Sequence, residues 1–184
     1  MKLVITIPCL NEAEQLAATL ATLPKEVPGF DSVETLVLDD GSTDGTAQVA
    51  REAGADHVYR NSNNLGLAKS YVIGLERALM LGADVIVNFD ADNQYPAQFI
   101  PDLTAPILDG SADLTVGARP MEEIEHFSPV KRVLQRVGSW VVRQASGGID
   151  IADATSGFRA VSKRAAIRLY TFSRYSYTLE TLIQ

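Results

Sequence analysis

Apolar and polar positions follow two alternating rhythms along the first half of the chain. Leu3 to Ile7 is a short β-branched run closed by Pro8, the pattern of a strand. Leu16, Leu20 and Leu23 then recur at helical spacing, with Asn11 and Glu14 ahead of them in capping-box spacing and Pro24 and Pro28-Gly29 behind. Val33 to Leu38 forms a second strand run that ends on Asp39-Asp40-Gly41-Ser42. A helix opening at Thr43 or Asp44 runs to about Ala53, and Gly54 stops it. His57-Val58-Tyr59 is a short third strand, Asn61 to Asn64 a polar loop, and Leu67 to about Leu81 a helix that Gly82 terminates. Asp84 to Phe89 supplies a fourth strand.

Beyond it, Pro96 is positioned as a first-turn proline, with Phe99, Ile100 and Leu103 on one helix face. Asp113 to Ala118 is strand-like and ends at Arg119, and residues 120–128 are expected to be a mobile loop. Val130, Val133, Leu134, Val137, Trp140 and Val141 make a helical stripe broken by Gly147-Gly148. Ser156 to Val161 is expected as a strand, a helix follows from about Lys163, and Thr178 to Ile183 is helical. Strands with near-continuous apolar runs joined by helices imply a parallel sheet covered on both faces. In such sheets ligands bind beyond the carboxyl ends of the strands. Pro8 to Glu12, Asp39 to Ser42 and Asp90 to Gln94 all fall at those ends.

Composition narrows the class. A chain of 184 residues, 46% hydrophobic and 21% charged, fits one globular domain, residues 1–184. The single cysteine, Cys9, excludes an internal disulfide and a cysteine-based zinc site, and points to a reducing compartment. No stretch approaches the length of a transmembrane helix, and Met1 to Pro8 has the pattern of a strand, not a signal peptide. A net charge of −7 argues against nucleic acid as a partner. Residues 126–184 nevertheless hold nine Lys/Arg against three Asp/Glu. Either an anionic surface or solvated helix faces accounts for that asymmetry.

Asp90-Ala91-Asp92 carries the most chemistry. Side chains two apart in an extended segment point the same way, so the two acids crowd one spot unless a cation separates them. Mg²⁺ is typically held by one or two carboxylates plus substrate phosphate oxygens. A solvated turn is the alternative. Asp40 reads either as an acceptor for a nucleobase N–H or as part of an ordinary strand-to-helix turn, and Glu12 either as a capping residue or as a ribose or base contact. Arg119 ends an apolar strand, where a guanidinium suits phosphate. Residues 128–146 carry Lys131, Arg132, Arg136 and Arg143 and no acid, as in a membrane-interface helix or a helix packed on the core. Asp153 could act as a base, orient an acceptor or cap a turn. Neither a dinucleotide fingerprint nor a P-loop is present, and His57 and His126 lack ligand spacing.

In combination the order Ile7-Pro8 with Asn11-Glu12, Asp39-Asp40-Gly41-Ser42-Thr43-Asp44, Asn64-x-Gly66 and Asp90-Ala91-Asp92 resembles the inverting family 2 glycosyltransferases. Asp90-Ala91-Asp92-Asn93-Gln94-Tyr95-Pro96 is similar to the polyprenyl-phosphate glycosyltransferases, including dolichyl-phosphate mannose synthases. The resemblance covers nearly the whole chain. It implies an α/β domain of the GT-A fold, a mostly parallel sheet flanked by helices. It further implies that Pro8, Glu12, Asp40, Asp90, Ala91 and Gln94 contact the nucleotide, and that Asp90, Asp92 and Gln94 bind Mg²⁺ or Mn²⁺. Asp92, Arg119, Arg132 and Asp153 would be the catalytic set, the arginines on phosphate and Asp153 as base if the acceptor is a hydroxyl. The implied partners are a nucleotide-diphosphate sugar, a polyprenyl phosphate and the cytoplasmic face of a membrane.

Two departures stand out. Leu10 occupies a position where many relatives carry an aromatic or polar residue, and the sequence stops inside a helical run, as in a catalytic fragment of a longer protein. The donor sugar and base stay open among GDP-mannose, UDP-glucose and UDP-N-acetylhexosamines. A sugar-hydroxyl acceptor, a sugar nucleotidyltransferase and a non-enzymatic nucleotide-sugar module are the alternatives. The nucleotidyltransferase usually shows a glycine-rich basic loop where this chain has Pro8-Cys9-Leu10-Asn11-Glu12.

Overall fold

Unbroken apolar runs put the first and fourth strands at the centre of the molecule. The computed structural model describes residues 1–92, 95–118, 153–172 and 176–184. Its elements are β1 (Lys2–Cys9), α1 (Ala13–Thr22), β2 (Ser32–Asp39), α2 (Thr46–Glu52), β3 (His57–Arg60), α3 (Leu67–Met80) and β4 (Val85–Asn88). There follow a 3-10 turn (Ala97–Phe99), α4 (Ile100–Leu108), β5 (Leu114–Val116), β6 (Arg159–Ser162), α5 (Lys163–Ala166) and α6 (Glu180–Ile183). One sheet takes the order β3-β2-β1-β4-β6-β5. β1 pairs in parallel with β2 from Lys2↔Ser32 to Cys9↔Asp39, and with β4 from Leu3↔Val85 to Thr6↔Asn88.

Alternation along β1 and β4 assigns the two faces. Leu3, Ile5, Ile7, Val85 and Val87 share one core with Leu16 and Leu20 of α1 and Ile100, Leu103 and Ile107 of α4. Val4, Leu36, Leu38 and Ile86 share the other with Ala68, Tyr71, Leu75 and Ala78 of α3. Burying each large aliphatic side chain contributes about 1.5–3 kcal/mol, so both helical layers are held to the sheet independently of helix propensity.

Three expectations shift. β6 runs antiparallel to both β4 and β5. It starts at Arg159, because a turn at 153–155 is followed by a bend at Gly157, where the Phe158 amide donates to Ser156 Oγ at 3.2 Å. Pro96 is extended and precedes the 3-10 turn, and the early-helix proline is Pro101, in the first turn of α4. Arg119, Arg132, Gln94, the 120–128 loop and the amphipathic 128–146 segment lie outside the described residues. Among the described residues no helix is long and apolar enough to cross a membrane.

Candidate active site

Every parallel strand delivers its following loop to one edge of the sheet. Cys9 to Glu12, Asp39 to Asp44, Asn61 to Gly66 and Asp90 to Asp92 meet there, beside Gly117-Ala118 after β5. Antiparallel β6 adds the loop that precedes it, Asp153 to Phe158, to the same edge. Pro8, Glu12, Asp40, Asp90, Ala91, Asp92 and Asp153 are thus brought to one side of the molecule.

The first two loops are stitched together. Asn11 adopts φ 57°, a left-handed conformation that asparagine tolerates better than most residues. Its amide donates to Ser42 Oγ at 2.9 Å, and its Oδ1 accepts from the Thr43 amide at 2.9 Å. The start of α1 is capped from across the chain and not by Asn11. The Glu12 amide donates to Thr46 Oγ1 at 3.0 Å and the Ala13 amide to Asp44 Oδ2 at 3.1 Å. Asp44 Oδ1 also accepts from the Thr46 amide and hydroxyl at 3.0 and 2.5 Å. Hydrogen bonding from the Thr46 hydroxyl, ahead of burial, holds the Asp44 carboxyl below its usual value. The Glu12 side chain makes no cap hydrogen bond. Burial, then the charges of Asp92 and Asp44, push its carboxyl above the usual glutamate value. Asp44 and Asp92, from two other loops, are thus near enough for their charges to act on Glu12.

Asp40 is 4% exposed and is the hub of the neighbouring loop. Its Oδ1 accepts from Asn61 Nδ2 at 2.8 Å and the Leu65 amide at 2.9 Å, and its Oδ2 from the Gly66 amide at 2.9 Å. Gly41 lets this loop close. At φ +81°, a Cβ there would lie 2.7 Å from the Asn63 carbonyl carbon. Asp39 Oδ1 accepts from the Ser42 amide at 2.7 Å, and Arg60 Nε lies 3.2 Å from Asp39 Oδ2 while its Nη2 donates to Ser42 O.

The paired acids are mounted from beneath. Ala91 is buried in the core, and its carbonyl accepts from Thr19 Oγ1 of α1 at 2.7 Å. Asp90 is half-buried and Asp92 exposed. Phe89 and Tyr95, on either side of the loop, both pack on the Phe158 ring, at centroid distances of 5.6 and 5.3 Å. Asp153 is 1% exposed and its Oδ1 accepts from Thr155 Oγ1 at 2.9 Å. Among the described residues no group of three His, Cys, Asp or Glu side chains is placed to hold a metal ion. Asp90 and Asp92 supply hard oxygen donors, the type that Mg²⁺ and Mn²⁺ prefer, and leave further positions to substrate oxygens.

Three buried polar residues here escaped the sequence reading. Asn88 donates through Nδ2 to Gly157 O at 2.9 Å and to Tyr177 Oη at 3.0 Å. Tyr177 stacks on Tyr71 at 3.8 Å and 4°. Arg159 is wholly buried. Its Nε donates to Ser156 O at 2.8 Å, Nη2 to Ala154 O at 3.0 Å, and Nη1 to Thr178 O and Thr181 Oγ1 at 2.8 and 2.7 Å. An asparagine inside an apolar strand run, directly before the acids, was the available signal for Asn88. His57 pairs with Glu34 at 2.8 Å, away from this edge, and Lys69 is exposed.

The fold and the acidic carboxyl edge define a glycosyltransferase domain of the GT-A type. The glycosyl transferase family 2 model matches residues 4–170, and the chain belongs to that family. An undecaprenyl-phosphate mannosyltransferase of Micrococcus luteus is 32% identical over 166 residues, covering 87% of this chain and 66% of that protein. A dolichol-phosphate mannosyltransferase of Pyrococcus furiosus is 32% identical over 169 residues, covering 89% and 47%. The crystal structure of glucosyl-3-phosphoglycerate synthase from Mycobacterium tuberculosis, in complex with Mn²⁺ and UDP-glucose, superposes with a TM-score of 0.65. It is 25% identical, and the match covers 89% of this chain and 57% of that one. The chain thus spans between about half and two thirds of the length of these three proteins.

Proposed function

We propose that this chain is a single catalytic domain of a metal-dependent, inverting glycosyltransferase. It would move a sugar from a nucleotide-diphosphate sugar to a polyprenyl phosphate at the cytoplasmic face of a membrane. The observation that carries the donor side is the placement of Glu12, Asp44 and Asp92 on loops at one edge, where burial first, and then the charges of Asp92 and Asp44, raise the Glu12 carboxyl above its usual value. Asp90 and Asp92, with Gln94, would hold a divalent cation together with the donor's diphosphate, and its charge would offset that of the acids at this edge. When bound, the ion supplies Lewis-acid stabilisation of the leaving nucleoside diphosphate. Pro8, near the end of β1, and Glu12, Asp40 and Ala91, beyond the strand ends, would receive the nucleoside. The Mn²⁺ and UDP-glucose held by the structural neighbour support this reading.

The acceptor side rests on the two mannosyltransferases named for lipid phosphates. A phosphate is already ionised at neutral pH and needs no general base. The protein then works by positioning and charge neutralisation, with Arg119 and Arg132 as the cations assigned to that work. A sugar-hydroxyl acceptor would need a base, and Asp153, the candidate, is buried and bonded to Thr155, which favours the phosphate. The basic balance of residues 126–184 suits an anionic lipid surface. The test is transfer of radiolabelled mannose, glucose or N-acetylhexosamine from its nucleotide to undecaprenyl or dolichyl phosphate, read in the organic phase. Label should move with Mn²⁺ or Mg²⁺ and not with EDTA. Equal transfer in EDTA would contradict the metal assignment, and transfer only to a sugar hydroxyl would contradict the acceptor.

A further inference from the structure

Gly157 faces the first of the paired acids at a distance that leaves no room for a Cβ unless the carboxylate shifts. A Cβ added at Gly157 would lie 2.5 Å from Asp90 Oδ2, 2.6 Å from Oδ1 and 2.9 Å from Cγ. The backbone does not explain the glycine, because Gly157 is not among the positive-φ glycines. A left-handed backbone is therefore not what requires glycine there. The nearest atoms that a methyl group would meet are those of the Asp90 carboxyl group.

The Gly157 backbone is held in place. The Gly157 carbonyl is tied to Asn88 Nδ2, and Asn88 lies on the strand that delivers Asp90, two residues earlier. The second Nδ2 hydrogen goes to Tyr177 Oη, so the amide is pinned from both sides. On the loop side, the Arg159 guanidinium grips the carbonyls of Ala154 and Ser156, and Phe158 is wedged against Phe89 and Tyr95. Gly157 is thus a fixed wall and Asp90 the group that leans on it.

We propose that Gly157 is a positioning residue for Asp90. Its bare Cα leaves the space that the carboxylate fills, and so fixes the acid where the donor's diphosphate and cation would meet it. This rests on the donor-site reading above. Partners that orient a metal-binding carboxylate typically contribute 10–100-fold to metal affinity, so Gly157→Ala should weaken the ion by about tenfold or more.

The experiment titrates Mn²⁺ into the protein with GDP, and separately with UDP, following the EPR signal of the free ion. Wild type should bind, Gly157→Ala should bind at least about tenfold more weakly, and Asp90→Ala should lose the site. In the Asp90→Ala background the second substitution should change nothing, because its effect passes through that carboxylate. A folded Gly157→Ala protein that binds Mn²⁺ like wild type overturns this inference alone. No Mn²⁺ binding by wild type overturns the donor-site reading and the inference with it. If Gly157→Ala melts, the pair Asp90→Ala/Gly157→Ala decides by its circular dichroism melt. Recovery to the Asp90→Ala melting point locates the clash at the carboxylate, and failure to recover overturns the proposal.

Discussion

Replacing Arg159 with methionine should remove a large part of the stability of this domain. The guanidinium is buried and donates to the carbonyls of Ala154, Ser156 and Thr178 and to the Thr181 hydroxyl. Methionine matches much of its length and none of its donors. Thr181 keeps a partner, because its hydroxyl also donates to Tyr177 O at 2.9 Å. The carbonyls of Ala154, Ser156 and Thr178 would lose their guanidinium donors, and Thr178 O would keep only a long contact, 3.5 Å, from the Thr181 hydroxyl. A buried polar group left unsatisfied costs about 1–3 kcal/mol, hence roughly 3–9 kcal/mol if nothing relaxed. Against this stands relief from holding a charge out of water, the term that lowers the arginine's pKa. We expect a net loss of about 3–5 kcal/mol, the usual range for stripping one partner from a buried charged network. Domains have only about 5–15 kcal/mol in total, so the variant should sit near its folding limit. Urea unfolding followed by circular dichroism, extrapolated linearly, measures it. Arg159→Lys, whose single ammonium cannot span the same carbonyls, should fall between the two. A loss below about 1 kcal/mol for methionine, no more than one ordinary hydrogen bond, would refute the view that Arg159 clips the 153–158 loop to the 176–181 segment.

Asp92→Asn should lower the Glu12 titration midpoint, measured by NMR, since the Asp92 charge is second only to burial in raising it. Glu12 is a carboxyl raised in the fold, so its contribution is present below 4.5 and lost as pH rises through the folded value. An unmoved midpoint would show that the two loops do not converge. Asp40→Asn should cost about 1.5–3 kcal/mol in urea unfolding, because an amide cannot accept from Asn61, Leu65 and Gly66 together. A loss within error would make the loop independent of Asp40. For Asp56, burial pushes its carboxyl up, but hydrogen bonds from the Thr35 amide and hydroxyl outweigh it and leave the pKa lowered. Its stabilisation is then present above 3.8 and lost as pH falls through the folded value. The stability gap between wild type and Asp56→Asn should shrink on acidification below 3.8, and a gap independent of pH would contradict the sign.

The sheet was legible because β1, β2 and β4 are apolar runs with clear punctuation, and local pattern decides such elements. Asp39 to Asp44 and Asp90 to Asp92 could be placed at one edge for the same reason, since parallel strands leave their following loops there. The reversal of β6 was not legible. A four-residue strand reads the same in either direction, and only its partners β4 and β5 reveal the antiparallel sense. Cross-chain caps were missed because Asn11 and Glu14 satisfy a local rule, whereas the actual acceptors, Asp44 and Thr46, lie more than thirty residues away. The burial of Arg159 is not legible in the sequence, because arginine is usually exposed and its burial depends on carbonyls from two segments remote from one another in sequence.

The central claim is that the acidic edge binds a nucleotide-diphosphate sugar through a divalent ion. The most direct measurement is a thermal-shift series with GDP-mannose, UDP-glucose and UDP-N-acetylglucosamine, each with Mn²⁺ and with EDTA. A ligand that binds only the folded state raises the melting temperature by mass action. We predict a rise for one nucleotide that requires Mn²⁺ and disappears in Asp92→Ala. No rise with any donor, or a rise unchanged in EDTA and in Asp92→Ala, would contradict the account.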